Sequence, residues 1–226
     1  CELNGQHLTG MKSVNPREYQ KLLNQLHVDD DKLAQIFKSK AVRAMAKAVY
    51  STDNIGHFGL ASKCYTHFTS PIRRYPDLET HRLLRTYLFD HKLDERTINY
   101  YGSHLDEICQ QSSEREQASA KAEREVNKMK MAEYMEDHIG EDFQVMVTDV
   151  TGTGMFCAID NGIEGFVPVQ SLKGDYFEYI EDLMCLMGKS TKKRYNIGDR
   201  LFVKCTRASK EEKQIDFELV KDLELD

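Results

Sequence analysis

The chain has 226 residues, of which 40% are hydrophobic and 30% charged, and its net charge is −6. This length suits one large or two small domains with sizeable cores. An acidic chain is not expected to bind nucleic acid over its whole surface, so any RNA contact must be a local basic patch. No apolar run approaches the roughly 20 residues of a membrane helix, and the N-terminus has no signal-peptide pattern. We therefore expect a cytoplasmic protein that contacts no membrane.

The N-terminal segment has no initiator methionine, which suggests that position 1 is a cut point in a longer protein. A helix of about three turns is predicted from Asn15-Pro16 to Leu26, and a second from the cap region at Asp29-Asp30-Asp31 to about Tyr50. The six cysteines have neither a C-x-x-C pair nor a metal-ligand spacing, so we expect reduced, mostly buried thiols.

Residues 57–85 are the stretch densest in special residues. Ser70-Pro71 is typical of a helix start, because a serine hydroxyl caps a free amide and proline has no donor to lose there. With Arg73 and Arg74 in its first turn, such an N-terminus would bind an anion, and phosphate fits best. The alternative is a solvated face or an internal ion pair, for instance between Arg73 and Asp77 one turn later.

The proline and the histidines of residues 57–85 lead to two further predictions, one about helix geometry and one about metal binding. Pro76 removes an amide and clashes with the carbonyl four residues before it, so the helix is expected to kink there and to resume through Leu88. The histidines match no zinc spacing and are predicted to be hydrogen-bonded structural residues; they are His57, His67 and His81.

From Glu95 to about His138 the composition predicts one long helix, closed by Gly140. Steps of four and three from Leu105 bring Glu116 and Glu123 onto a stripe of otherwise apolar or small residues, which would turn both carboxylates inward. A helix of Ser, Glu, Arg and Lys is also typical of a solvated surface, and both interpretations stay open at this point.

After Gly140 the hydrophobic period changes to two, which predicts five short strands. They cover about residues 143–150, 155–159, 163–167, 201–206 and 215–219, with Asn161-Gly162 as a hairpin turn. A long connection separates the third strand from the fourth. This arrangement predicts a small Greek-key barrel of the OB type.

Residues 57–85 resemble the signature of the ribonuclease II and ribonuclease R family, and the ribonuclease R branch more closely. The motifs that carry the resemblance are His57-Phe58-Gly59-Leu60-Ala61, Tyr65-Thr66-His67-Phe68-Thr69-Ser70-Pro71-Ile72-Arg73-Arg74-Tyr75-Pro76-Asp77-Leu78 and His81-Arg82-Leu83-Leu84-Arg85. The family consists of processive 3'-to-5' exoribonucleases. The resemblance implies that Arg73 is the catalytic arginine and that Arg74 assists RNA binding. Ala122-Glu123-Arg124 resembles a further family segment and implies that Glu123 contacts the 3'-terminal nucleotide.

Residues from about 141 to 220 resemble an S1 domain through Gly154-Met155-Phe156 and Gly162-Ile163-Glu164-Gly165-Phe166-Val167. Phe156 matches an aromatic on which S1 domains stack bases, and core filling is the alternative for both Phe156 and Phe166. Thr153 and Pro168 replace an aromatic and a histidine that are common in S1 domains, so the stacking surface is reduced. We expect Lys204 and Arg207 to contribute to RNA binding.

These interpretations together predict an α+β chain in two domains. Residues 1–140 would be the C-terminal helical part of an RNB catalytic domain, and residues 141–226 an S1 barrel with an OB fold. The resemblance implies a parent enzyme that hydrolyses single-stranded RNA to nucleoside 5'-monophosphates with Mg²⁺, whose aspartate ligands lie upstream of this chain. We expect no bound DNA. The alternatives are a non-catalytic S1-type RNA-binding module with a supporting helical domain, and a protein-interaction module that binds no RNA.

Overall fold

The computed structural model describes residues 17, 19, 21, 31–43, 45 and 47–222. It divides into two compact units, Cys1–Lys121 and Ala122–Asp226, which are described separately. Both helices and strands are present, the α-helices before residue 137 and the strands after residue 141, which confirms the predicted α+β class; two short 3-10 helices, Val169–Ser171 and Glu181–Leu183, lie among the later strands. No helix in the described part of the chain is both long and apolar enough to cross a membrane.

Helices make up the regular structure of the first unit. Helix α1 is Asp31–Arg43, α2 is Tyr75–Leu83 and continues as a π-helical turn, Leu84–Phe89, and α3 is Glu95–Glu136. Between α1 and α2 the described chain is irregular except for one bridge that joins His57 to Ser62. The last turns of α3 belong to the second unit.

The first two predicted helices can be compared with this structure only in part. Most of the helix predicted from Asn15-Pro16 to Leu26 lies outside the described residues, although Arg17, Tyr19 and Lys21 are helical. Asp29 and Asp30 also lie outside them. The second helix ends at Arg43, so the prediction that it reaches Tyr50 was wrong.

The predicted break near Pro76 and the helix that resumes through Leu88 are confirmed, whereas Ser70 begins only an isolated turn. The Arg74 amide donates to the Ser70 carbonyl at 3.0 Å, which closes one turn, but the chain is then extended at Arg74 and α2 begins at Tyr75. Pro76 explains the shift, because its ring would clash with the carbonyl of Ile72 in a continuous helix. In the first turn of α2 its missing amide costs nothing.

Helix α3 agrees with its prediction at both ends. Asp94 caps it by accepting the Thr97 amide at 3.0 Å and the Thr97 hydroxyl at 2.8 Å, which satisfies one of the free amides of the first turn. Beyond the last helical residue, Glu136, the chain turns to Gly140, whose φ of 94° is in the left-handed region that favours glycine.

The second unit contains the predicted five-stranded barrel. Its strands are β1 (Asp142–Thr151), β2 (Gly154–Ile159), β3 (Glu164–Pro168), β7 (Arg200–Ser209) and β8 (Gln214–Asp222). They close in the order β1-β2-β3-β8-β7, with a parallel contact between β3 and β8. The Asn161-Gly162 hairpin between β2 and β3 is confirmed, with a φ of 87° at Gly162.

The barrel core is filled by the inward-facing residues of the strands and by residues at the end of α3. Residues of the barrel strands that are less than 3% exposed include Val147, Met155, Cys157, Val203 and Phe217, and Ala132 and Met135 of α3 pack into the same core. The cysteines that the structure describes are free thiols.

Sequence periodicity did not reveal a second sheet in the connection between β3 and β7. It has three antiparallel strands: β4 (Phe177–Ile180), β5 (Cys185–Gly188) and β6 (Arg194–Tyr195). Strands of two to four residues are too short to show a period-two pattern.

Candidate RNA-binding sites

The buried carboxylate of Asp77 organises the loop that precedes α2. Its side chain is 0% exposed. One carboxylate oxygen accepts the Ser70 amide at 2.7 Å and an Arg74 guanidinium N–H at 2.9 Å, and the other lies 2.9 Å from Arg74 Nε. A carboxylate in the first turn of a helix also interacts favourably with the helix dipole. Residues 70–77 are therefore held by a single buried acid.

These contacts shift the pKa values of both Asp77 and Arg74. Burial by itself raises the pKa of Asp77, but the Ser70 amide and the Arg74 guanidinium outweigh it, so the pKa lies below its usual value. The hydrogen bond to Asp77 raises the pKa of Arg74. Both groups are therefore charged at neutral pH, and the Arg74 side chain, 24% exposed, is oriented towards protein.

Arg73 lies in a different environment from its neighbour. Its side chain is exposed and has no hydrogen bond or ion pair with any residue that the structure describes. Ile72 beside it is also fully exposed. The predicted internal ion pair of Asp77 is therefore made by Arg74, and Arg73 is left available to an external anion.

A chain of hydrogen bonds joins the segment around Tyr50, which precedes the loop of residues 70–77, to helix α3. The Tyr50 hydroxyl donates to Glu116 Oε2 at 2.5 Å and lies 2.8 Å from His67 Nδ1. The Tyr50 amide donates to Ser113 Oγ at 2.9 Å. Burial and the Glu116 carboxylate raise the pKa of Tyr50, so the hydroxyl keeps its proton.

The three histidines of the stretch make structural contacts, as predicted. His57 Nδ1 accepts the Leu60 amide at 3.2 Å. His81 Nε2 lies 2.8 Å from the Phe68 carbonyl, and the two rings stack with centroids 4.3 Å apart. Within the described residues no three His, Cys, Asp or Glu side chains form a group able to hold a metal ion.

Glu116 and Glu123 are both exposed on α3, which supports the solvated interpretation of this stripe and contradicts the inward one. Glu116 is held by Tyr50 in the first unit. Glu123 belongs to the second unit and has no hydrogen bond or ion pair within the described part of the chain.

The outer surface of the barrel carries a row of side chains across four strands. Phe156 on β2 faces Phe166 on β3, with ring centroids 5.0 Å apart, and both rings are half-buried. Phe166 is paired with Asp216 on β8, and Asp216 with Arg207 on β7. Cross-strand partners point to the same side of a sheet, so Phe156 and Arg207 share the outer face.

The two basic residues predicted to assist this face are each beside a carboxylate. Lys204 Nζ lies 3.7 Å from Asp142 Oδ1. Arg207 pairs with Glu212 and lies 3.9 Å from Asp216 Oδ2. The pairs of Lys204 with Asp142 and of Arg207 with Glu212 are exposed, and exposed pairs are worth about 0–1 kcal/mol. A phosphate can therefore replace Asp142 or Glu212 at little cost.

Sequence reasoning missed two residues that organise the loop region. Asp77 was considered only as a partner of Arg73, although its spacing of three from Arg74 inside a helix turn also predicted the observed pair. No local sequence pattern identified Tyr50 as a structural residue, because its partners His67 and Glu116 are remote in the chain.

Two known family models match separate parts of the chain. Residues 3–90 match the RNB domain, and residues 136–219 match the S1 RNA binding domain.

The chain is 44% identical to ribonuclease R 1 of Lactococcus lactis over 183 residues, which cover 81% of the chain and 22% of that protein. It is 43% identical to ribonuclease R of Thermotoga maritima over 211 residues, 92% of the chain and 29% of that protein. The structure of Mycoplasma genitalium RNase R in complex with ribose methylated single-stranded RNA superposes with a TM-score of 0.86 at 30% identity, over 97% of the chain and 34% of that structure. The chain thus spans about a quarter to a third of these relatives.

Proposed function

We propose that the chain, which is similar to ribonuclease R proteins over most of its length, belongs to that family and forms the part of a 3'-to-5' exoribonuclease that positions single-stranded RNA for hydrolysis to nucleoside 5'-monophosphates. In this proposal residues 1–140 complete the RNB catalytic domain and residues 141–226 are the S1 domain. The Mycoplasma genitalium relative was solved in complex with single-stranded RNA, which supports RNA as the ligand.

The observation that carries the proposal is the contrast between Arg73 and Arg74. Asp77 binds Arg74 and the Ser70 amide, so the loop is rigid before any ligand arrives. Arg73 leaves this loop with an exposed guanidinium. A planar guanidinium binds two phosphate oxygens at once and can stabilise the charge that develops during phosphodiester cleavage. We assign this role to Arg73. RNA binding by Arg74 is also proposed, but it competes with Asp77.

Substitution of Arg73 in the full-length protein tests this role. Removal of a group that stabilises a transition state costs about 10²–10³-fold in kcat, and we expect this loss for Arg73→Ala. Arg73→Lys keeps the charge but loses the planar fork, so its kcat should recover only in part, while RNA affinity changes less than kcat in both variants.

Arg85→Lys is the matched control, because Arg85 is also an exposed arginine of this unit, 3.2 Å from Asp90. Its kcat and affinity should stay close to those of the wild type. Equal losses of kcat and affinity in the Arg73 variants would make Arg73 an ordinary binding residue.

Glu123 is proposed to contact the 3'-terminal nucleotide. Its exposure and the absence of a partner within the described residues leave the carboxylate available to accept from a ribose hydroxyl. Glu123→Gln should weaken discrimination between RNA with a free 3' hydroxyl and RNA with a blocked 3' end. Equal discrimination in wild type and variant would remove Glu123 from the site.

The barrel is proposed to bind RNA through the Phe156 face. Each base stacked on an aromatic is worth about 1–3 kcal/mol, and Arg207 on the same row can neutralise a phosphate. We expect modest affinity and a shallow salt dependence, with a slope of about −0.7 per phosphate contact.

Phe156→Ala should weaken binding of single-stranded RNA by this chain and leave the barrel folded, because the ring is outside the core. Phe217→Ala is the contrasting variant, since Phe217 is 1% exposed and its loss should unfold the barrel. A Phe156 variant that unfolds, with unchanged affinity per folded molecule, would assign Phe156 to the core.

Two further parts of the proposal rest on the family. Mg²⁺ is proposed as the cofactor of the whole enzyme, and its ligands are expected outside this chain, because the residues that the structure describes contain no cluster to hold it. A cytoplasmic location is also proposed, and the free thiols of the described cysteines suit a reducing compartment. A chain that binds RNA while the Arg73 variants of the full-length protein keep full activity would instead be a non-catalytic RNA-binding module.

A further inference from the structure

The turn between β5 and β6, taken together with the first residue of β6, is the most basic segment of the second unit. Four of its six residues are basic: Lys189, Lys192, Lys193 and Arg194. All six residues are exposed. We call residues 189–194 the basic loop. Because the chain as a whole is acidic, this concentration of charge is local.

The conformation of the basic loop is held by Asp175. Its carboxylate accepts the amides of Tyr176, Ser190 and Thr191, at 2.8, 2.9 and 2.6 Å, and the Thr191 hydroxyl at 2.7 Å. These bonds lower the pKa of Asp175, so it is ionised at any physiological pH. The loop therefore loses little conformational freedom when a ligand binds.

Two cations of the loop, Lys192 and Arg194, have no ion pair with any residue that the structure describes. Lys189 Nζ is 3.7 Å from Glu178, and the Lys192 ammonium donates to the Lys189 carbonyl at 3.0 Å. The acids between β4 and β5, Glu181 and Asp182, lie at the opposite end of that hairpin, about 10 Å away along the strands. Asp175 is already occupied by the loop amides.

An exposed aromatic ring accompanies these cations. Tyr176 is 67% exposed, and Lys189 Nζ lies 6.0 Å from its ring centroid. Tyr176 is joined to the loop by the hydrogen bond from the Lys189 amide to the Tyr176 carbonyl, at 2.9 Å. An aromatic face beside several cations is the combination that binds single-stranded nucleic acid without sequence preference.

We propose that the basic loop and Tyr176 form a second contact for single-stranded RNA, on the three-stranded sheet and separate from the Phe156 face of the barrel. The cations bind backbone phosphates and the Tyr176 ring stacks on one base. This inference rests on the proposed RNA-binding function and adds a site to it. An acidic protein could use the cations but not the stacking ring, so RNA is the partner that fits both features.

The test measures the affinity of the chain for a labelled oligouridine at several salt concentrations. Lys192→Ala combined with Arg194→Ala should reduce the slope of log K against log salt by about 1.4, because each lost phosphate contact of a single strand removes about 0.7. The matched control combines Lys121→Ala and Lys128→Ala, which removes the same charge from exposed positions of α3 and should leave the slope unchanged.

Substitutions of Tyr176 test the contribution of base stacking to RNA affinity separately from the contribution of charge. Tyr176→Ala should lower affinity about tenfold with the salt slope unchanged, whereas Tyr176→Phe keeps the ring and should bind like the wild type. Circular dichroism verifies that each variant is folded, and the exposure of these side chains makes this the expected result.

Failure of this inference can be distinguished by experiment from failure of the proposed function. An unchanged slope in the Lys192 and Arg194 variant, with affinity lost in Phe156→Ala, would overturn the basic loop and leave the barrel face intact. Polyglutamate that competes as well as RNA would identify an acidic protein partner and also overturn the inference. Catalysis by Arg73 is decided independently by the kcat measurements.

Discussion

Asp77 determines which of two adjacent arginines faces solvent. Both Arg73 and Arg74 lie within one helical turn of it, and the extended backbone at Arg74 directs that side chain to the carboxylate. The two arginines therefore have different roles. Arg74 stabilises the loop, and Arg73 is presented to the ligand.

Asp77→Asn should destabilise the first unit. Asparagine can still accept the Ser70 amide, but Arg74 loses its counterion. Breaking a fully buried ion pair costs about 3–5 kcal/mol, and we expect a smaller loss because Arg74 is 24% exposed. In the full-length protein kcat should fall as well, since the loop that carries Arg73 is no longer held. Chemical denaturation and steady-state kinetics measure the two effects.

Asp90→Asn provides the comparison, because Asp90 pairs with Arg85 at the surface. Its effect on the free energy of unfolding should stay below about 1 kcal/mol. If both variants had the same small effect, Asp77 would be an ordinary surface acid despite its burial.

At the scale of elements, the end of α3 is part of the barrel. Ala132 and Met135 are buried in its core, and three glutamates of α3 contact the turn between β7 and β8. Glu136 accepts the Lys210 amide at 2.7 Å, and Glu125 accepts from Lys213 Nζ at 2.8 Å. The compact unit accordingly begins at Ala122, whereas the domain boundary after residue 140 remains a prediction.

Met135→Ala should destabilise the second unit by about 2–5 kcal/mol, the usual cost of a buried large-to-small change. Met131→Ala is the control one turn earlier, where the side chain is 36% exposed. Its effect should be within about 0.5 kcal/mol. Chemical denaturation measures both. Equal effects of the two substitutions would mean that α3 does not pack into the barrel core in solution.

The contact of Glu133 with Lys130 and Lys210 should make stability depend on pH. Hydrogen bonds from these two lysines lower the pKa of Glu133 from 4.5 to about 2. A lowered pKa in the folded state stabilises the fold above the unfolded pKa, and this contribution disappears as pH falls from about 4.5 to about 2. The difference in Tm between wild type and Glu133→Gln should therefore shrink over this range.

Glu107→Gln serves as the control for the Tm series, since Glu107 is exposed on the same helix and has no ion pair with a described residue. Its Tm at neutral pH should match that of the wild type. A Glu133→Gln difference that stays constant down to pH 2 would show that these lysine contacts do not form in solution.

At the scale of the whole molecule, we expect that this chain alone does not degrade RNA when Mg²⁺ is added. The described residues contain no cluster of metal-binding side chains, and an arginine cannot supply the nucleophile. The measurement is release of mononucleotides from single-stranded RNA. Release above background that survives repurification and disappears in Arg73→Ala would overturn this expectation.

Features that depend on neighbours in the chain could be predicted from the sequence alone. Period-two alternation predicted the five barrel strands, Asn161-Gly162 predicted a hairpin, and composition predicted α3, because each depends on local backbone geometry. The motifs in residues 57–85 likewise carried the family resemblance without any structure.

Features that depend on distant or competing contacts became clear only in the folded structure. Asp77 had two possible arginine partners at helical spacing, and the start of α2 at Tyr75 selected Arg74. The packing of Met135 into the barrel depends on residues far apart in the chain, on which local patterns carry no information. The strands of the three-stranded sheet are close in the chain but too short to show a period-two pattern. The physical reason is that burial and ion pairing are properties of the folded surroundings, whereas periodicity is a property of the chain.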